Sequence, residues 1–166
     1  MARILVTGSA DGLGRLAAQL LVGAGHEVLL HARSEARARE ARAAVPGAVG
    51  ALAGDLTSVA ETRELAEAGR EAGPLDAVIH NAGVNRVPRR ETADGLGTIF
   101  TVNVLAPYLL TALVPAPRLV YLSSGMHHGG APDLEDAAAD LRACEELTGV
   151  ALPAAPFSEA AGAAPP

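Results

Sequence analysis

Arg3-Ile4-Leu5-Val6-Thr7-Gly8-Ser9-Ala10-Asp11-Gly12-Leu13-Gly14 is the stretch around which the rest of the chain is organised. Residues 4–7 read as a buried strand, and the glycines that follow let the backbone turn sharply and run on into a helix. Gly8 permits the tight turn, Gly12 lets a ligand approach the main chain, and Gly14 lets the helix pack close to the strand. A strand that turns through glycines onto a helix N-terminus presents free N–H groups and the positive end of the helix dipole, which together suit a diphosphate. The stretch therefore implies a nucleotide-binding turn.

Working outward, Leu13, Leu16, Ala17, Leu20, Leu21 and Ala24 recur at helical spacing, and this apolar face is expected to lie on the sheet. Residues 27–31 form a second strand, whose continuous apolar centre suits a parallel strand covered on both sides. Ser34 caps a helix running to about Ala44, closed by Pro46-Gly47. A third strand at 49–53 leads into Gly54-Asp55-Leu56. Thr57 or Ser58 then caps a helix with Leu65 and Ala68 inward, ending near Gly73-Pro74. Residues 75–80 are the fourth strand, and Asn81-Ala82-Gly83 turns out of it.

Residues 84–97 are polar and irregular. A helix at 98–114 places Phe100, Val104, Tyr108 and Leu109 or Leu110 at contact spacing, with Pro107 bending it or crowding its ladder. Residues 118–122 are the fifth strand, opening into Ser123-Ser124-Gly125. This alternation predicts an α/β, Rossmann-type, doubly wound parallel sheet of about five strands, with ligands at the carboxyl ends of its strands. The nucleotide-binding domain is placed at residues 1–130. Residues 131–166 hold an acidic helix at 133–147 and an Ala/Pro-rich tail expected to be disordered or loosely attached.

The composition narrows the function classes. Of the 166 residues 49% are hydrophobic, enough for a core, but aromatics are only 2%, so that core is built from Ala, Val, Leu and Ile. Small side chains bury less area each, which predicts modest stability. A net charge of -6 argues against broad contact with nucleic acid, and no apolar run reaches the roughly 18 residues of a membrane span. The single cysteine, Cys144, forms no internal disulfide. With no charged leader before the first strand, the expected compartment is the cytoplasm. No metal site is expected: adjacent His127 and His128 point apart on most backbones, and no other ligands surround them at coordinating spacing.

Taken together, these residues resemble the short-chain dehydrogenase/reductase family. Thr7 to Gly14 matches its TGxxxGxG turn, and Asn81-Ala82-Gly83 is similar to its structural NAG motif, with His80 where a second Asn is usual. Asp55, followed by Leu56, resembles the family residue at the adenine ring. Asn103, in Val102-Asn103-Val104, matches the helix asparagine of the catalytic group, and Ser124, in Leu122-Ser123-Ser124-Gly125, matches the active-site serine. Several motifs in the right order and spacing are specific where a glycine turn alone is not. The resemblance covers about residues 3 to 130. It implies hydride transfer between a nicotinamide cofactor and a small-molecule carbonyl or alcohol. It places Gly8, Ser9, Asp11, Gly12, Leu13, Gly14, Asp55, Leu56, Asn81, Ala82 and Gly83 at the cofactor. It also implies a homo-oligomer paired through the helix at 98–114.

The choice of nucleotide is read from the end of the second strand. Where an acidic residue would hold the ribose hydroxyls of NAD, His31-Ala32-Arg33-Ser34 offers a guanidinium, with Ser34 as a second donor. Charge and fork geometry suit a 2'-phosphate, so NADP is preferred over NAD; the alternative is a solvated arginine at a helix start. Arg86, Arg89 and Arg90 read as a solvated loop.

One family element is absent from these residues. The family's Tyr-x-x-x-Lys follows the serine, yet this chain has no Tyr after Tyr121 and no Lys anywhere. In the family the tyrosine passes a proton to or from the substrate oxygen, and a hydroxyl with a pKa near 10 needs a cationic neighbour to do so near neutral pH. The chain is accordingly expected to be cut short or read out of frame near residue 135. Two functions follow: a dehydrogenase with little turnover, or a non-catalytic dinucleotide-binding module.

Overall fold

The short apolar runs pair side by side. In the computed structural model, which describes residues 1–85, 90–123 and 134–153, they form β1 (Arg3–Val6), β2 (Glu27–Ala32), β3 (Gly50–Ala53), β4 (Ala77–His80) and β5 (Leu119–Tyr121). All pairings are parallel, and the strand order is β3-β2-β1-β4-β5. Ile4 sits in register with Val28 on one side and Ala77 on the other. The chain leaves β1 toward β2 and β3, then returns to the opposite side of β1, so winding reverses between β1 and β4. Such a reversal opens a crevice at the carboxyl ends of the strands.

Strand pleating divides the core in two. Ile4, Val6, Val28, Leu30 and Ala77 meet Ala18 of α1 (Gly12–Gly23) and Ala41 of α2 (Glu35–Ala44). Leu5, Leu29 and Val78 point the other way. There they meet Leu65 and Ala66 of α3 (Val59–Glu71) and Ala106 and Leu110 of α5 (Ala106–Leu113). Helices thus lie on both faces, and the core is aliphatic. Ser34 and Ser58 cap α2 and α3, accepting from the N–H of Arg37 and Glu61.

Three expectations need correction. The face of α1 on the sheet is Gly14, Ala18 and the partly buried Leu21 and Val22, whereas Leu13 is 71% exposed and Leu20 75%. Two stripes of the sequence satisfy the helical period. The smaller residues take the sheet side because the tight β1–α1 turn brings the helix too close for leucine. On α3 the inward residues are Thr62, Leu65, Ala66 and Gly69, and Ala68 is only half-buried. The expected single helix at 98–114 is three pieces: α4 (Thr98–Phe100), a π-helical segment Thr101–Leu105, and α5. Pro107 has no N–H for the carbonyl four residues back, and the ladder widens ahead of it.

The acidic helix, α6 (Leu134–Thr148), rests on α5 through Cys144, which packs with Leu105 and Tyr108. The Tyr108 hydroxyl donates to the Val150 carbonyl at 2.7 Å, and the Arg63 guanidinium donates to the carbonyl of Thr148. Part of the helix face expected to pair two copies is therefore covered by the chain's own α6. Among the described residues no helix is long and apolar enough to cross a membrane.

Candidate functional site

The site begins where β1 ends. Thr7 is buried, and its hydroxyl accepts from the N–H groups of Asn81 and Ala82, both at 3.0 Å. The Asn81 side-chain amide returns two bonds, to the carbonyls of Thr7 at 2.9 Å and Gly8 at 3.0 Å. The ends of β1 and β4 are thereby tied together by side chains whose every bond runs to the backbone. No side chain fits between them. Gly8 has φ +63°, and a Cβ there would lie 2.8 Å from Ala82 Cα; a Cβ on Gly14 would lie 2.3 Å from Asn81 Nδ2 and from the Gly8 carbonyl oxygen.

Beyond the turn, Asp11 is the N-cap of α1 in an extended conformation, and its side chain makes no capping bond. Among the described residues no side chain accepts from the first N–H groups of the helix, which lie at the edge of a cavity of about 680 Å3. Gly8, Asp11, Gly12, Leu13 and Gly14 form one wall of it. Arg33 from the end of β2 and Asp55 and Leu56 after β3 form another, and Asn81, Ala82 and Gly83 after β4 close the third side. The Asp55 carboxylate accepts from the N–H and hydroxyl of Thr57 at 2.9 and 2.8 Å, which fixes the turn that brings it to the wall.

Two residues expected at the cofactor stand off the wall. Ser9 is fully buried, its hydroxyl accepting from the N–H of His31 at 2.9 Å, and the Ser34 hydroxyl caps α2. Asn103 lies in the π-helical segment, where its side chain grips Val84 at both backbone groups. It accepts from the Val84 N–H at 2.8 Å and donates to the Val84 carbonyl at 2.9 Å. An asparagine inside a helix needs a partner of this kind. It positions the segment that follows Asn81-Ala82-Gly83. Ser124, His127 and His128, with Arg86 and Arg89, lie outside the described residues.

Sequence reasoning missed Arg37 and His31. Arg37 lines the cavity one helical turn beyond Arg33, and its guanidinium bonds Asp11 across the mouth at 2.8 Å and Glu40 along α2. These exposed pairs add little stability but hold the guanidinium at the rim. The spacing of four from Arg33 was the available signal. His31 is a buried polar residue at the end of an otherwise apolar strand, and that break in β2 was its signal. Its Nδ1 accepts from the Gly8 N–H at 3.0 Å, and its Nε2 lies 2.9 Å from the Gly54 carbonyl oxygen. Burial pushes its pKa below the usual histidine value, outweighing the Gly54 carbonyl and the Asp55 charge, which act the other way.

A second buried histidine belongs to the other end of the sheet. His80 is 4% exposed and stacks on Tyr121 with ring centres 4.6 Å apart. Its Nε2 meets the Thr111 hydroxyl at 3.3 Å, and that hydroxyl meets the Tyr121 hydroxyl at 2.5 Å. Nδ1 is buried with no hydrogen-bond partner among the described residues, and burial lowers the pKa to about 4.

Comparison with known proteins bears on the family and the fold. A family profile described as short chain dehydrogenase matches residues 2–126. The short-chain dehydrogenase chyC of Penicillium rubens is 51% identical over 137 residues, which is 82% of this chain and 53% of that protein. An oxidoreductase of Emericella nidulans is 49% identical over 141 residues, covering 82% of this chain and 55% of its own length. Among solved structures, a short-chain dehydrogenase from Sphingobium yanoikuyae in complex with NADPH superposes with a TM-score of 0.65 at 25% identity, over 89% of this chain and 62% of that one. The chain spans about half the length of the curated relatives it matches.

Proposed function

The chain belongs to the short chain dehydrogenase family, and from that premise we propose that its cavity holds NADP(H) for reversible hydride transfer to or from a small-molecule carbonyl or alcohol. The observation that carries the reading is the meeting, in one cavity, of two arginines, Arg33 and Arg37, with an α1 N-terminus whose N-cap side chain makes no capping bond. Anionic groups are favoured at both places, and a dinucleotide phosphate is anionic at both. In this reading the N–H groups at the start of α1 hold the diphosphate, Asp55 and Leu56 flank the adenine, and Arg33, with Arg37 beside it, takes the 2'-phosphate. Gly12 supports the same reading, because a Cβ there would meet nothing within 4 Å and the backbone stands open to a ligand. The nicotinamide, when bound, supplies the hydride; the protein supplies position and proton traffic. Ser124 is assigned the substrate oxygen, and Asn103 acts through the backbone of Val84.

A second reading, dinucleotide binding without turnover, is favoured by one feature: these 166 residues contain no Lys and no Tyr beyond Tyr121. Calorimetric titration of the chain with NADPH and NADH tests the first reading. NADPH is expected to bind more tightly, with the preference lost in Arg33→Ala. Equal affinities in the wild type would overturn the NADP assignment, and no binding by folded protein would overturn the dinucleotide site. Turnover over a panel of carbonyls separates enzyme from binding module.

A further inference from the structure

We propose that His31 is the positioning residue of the glycine turn: its imidazole, held neutral with the proton on Nε2, sets the turn in the conformation that receives the diphosphate. The inference rests on the dinucleotide reading of the cavity. Both ring nitrogens face backbone groups of fixed role. The N–H of Gly8 can only donate, so Nδ1 carries the lone pair; the carbonyl of Gly54 can only accept, so Nε2 carries the proton. The main chain repeats the link, with the His31 N–H donating to the Ser9 hydroxyl and the Ser9 N–H donating to the His31 carbonyl at 3.0 Å.

One side chain on β2 thus joins the turn after β1 to the end of β3, beneath the cavity whose wall it also forms. Gly8 has its N–H engaged by His31 and its carbonyl by Asn81, so both of its backbone polar groups are fixed by neighbouring strands. The donors left to a diphosphate are those at the start of α1, and their direction follows from where Gly8 is held. A second proton on the ring would set Nδ1–H against the Gly8 N–H, and the link to the turn would be lost. Asp55 is the charge that favours that proton, and burial opposes it. Asp11 from the turn, Arg33 from the end of β2 and Arg37 from α2 line the same cavity.

The test uses the full chain labelled with 15N-histidine. Without cofactor, long-range 1H–15N spectra at pH 7 are expected to show Nδ1 unprotonated and Nε2 protonated, with slow exchange of the Gly8 amide. His31→Gln offers both an acceptor and a donor, and is expected to keep NADPH affinity within about threefold. His31→Phe fills the space without either, and is expected to weaken it by about tenfold or more, the equivalent of one well-made hydrogen bond. The cofactor's 2'-phosphate itself titrates at about pH 6, so affinity should fall with acid in both proteins, and it should fall more steeply in the wild type, where the ring also takes up a proton, than in His31→Gln. A purely structural role would not produce that difference in pH profile. A ring protonated on Nδ1 at pH 7, or a folded His31→Phe that binds NADPH like the wild type, would overturn the proposal. If the wild type binds no dinucleotide, the dinucleotide reading fails by itself. The positioning role is then decided by Gly8 amide exchange, which must become fast in His31→Phe and stay slow in His31→Gln.

Discussion

The β3-β2-β1 side of the sheet and the β4-β5 side are built from similar residues and are finished to different degrees. Around β1 and β2 each strand end is tied by a polar side chain, and helices cover both faces. Past β4 the described residues leave apolar surface open. Val120 is opposite Ile79, which packs in the cluster on the α1 side; by pleat alternation Val120 and Leu122 point to that side, where they are 40% and 47% exposed. Leu13, Leu16 and Leu20 of α1 are exposed as well. The two histidines mark the contrast. His31 has a partner at each ring nitrogen, whereas the buried Nδ1 of His80 has none among the described residues. Satisfaction of buried polar groups and coverage of apolar ones go together here, because both depend on neighbouring elements being in place.

The strongest break of the comparison is Gly14→Ala. Its Cβ would lie 2.3 Å from the side-chain nitrogen of Asn81, which two hydrogen bonds to the backbone hold in place, and 2.3 Å from the backbone oxygen of Gly8. A loss of about 3 kcal/mol in chemical denaturation, with loss of NADPH binding, is expected. Unchanged stability would show that the turn is less tightly held than its contacts imply.

The acid response tests the other side. The folded pKa of His80, about 4, lies below the unfolded value of 6.5, so the unfolded chain takes up the proton first. Its contribution is complete above pH 6.5 and is lost as pH falls toward 4, on the order of 2–3 kcal/mol over that window. Denaturation at successive pH values should show this slope, and His80→Phe should flatten it. His31 acts in the same direction, so the difference between wild type and variant is the quantity to read.

Asn81→Ala removes donors from the Thr7 and Gly8 carbonyls and is expected to cost about 2 kcal/mol by the same denaturation assay. The smallest effect is expected on the exposed face of α1. Leu13→Gln, Leu16→Gln and Leu20→Gln should each change stability by less than about 0.5 kcal/mol, since these side chains are already in water. Their combination should raise the monomer fraction in sedimentation, because a contiguous apolar stripe promotes self-association. A large stability loss would show that the leucines are covered in solution.

Much of the site was legible from the sequence because its parts follow backbone rules. Gly8, Gly14, Asn81 and Asp55 occupy positions fixed by turns, and turns are local. The strands were found to within a residue or two from apolar runs, as was the cap Ser34, whereas at α3 the sequence left Thr57 and Ser58 as alternatives and the structure places the cap at Ser58. Where the reading failed, two local patterns competed. On α1 the leucine stripe and the Gly14-Ala18 stripe have the same period, and only the distance to the sheet chooses between them. On the helix after residue 98 the proline was seen, but the widened ladder that places Asn103 against Val84 was not, because it depends on the segment that must be gripped.

An α/β sheet of about five strands, a glycine turn at the first of them and the family resemblance of residues 3 to 130 can all be read from the residues alone. All of these are encoded in short windows of periodicity and turn chemistry. That Ser9 faces His31 and not the cavity, that Arg37 joins Arg33 at its rim, and that His31 links Gly8 to Gly54 follow from the packed fold. Each of those facts joins residues 22 or more apart, or turns on which side of an element meets its neighbour. No local pattern carries that information, because a side chain's partner is set by the packing of the strands and helices around it.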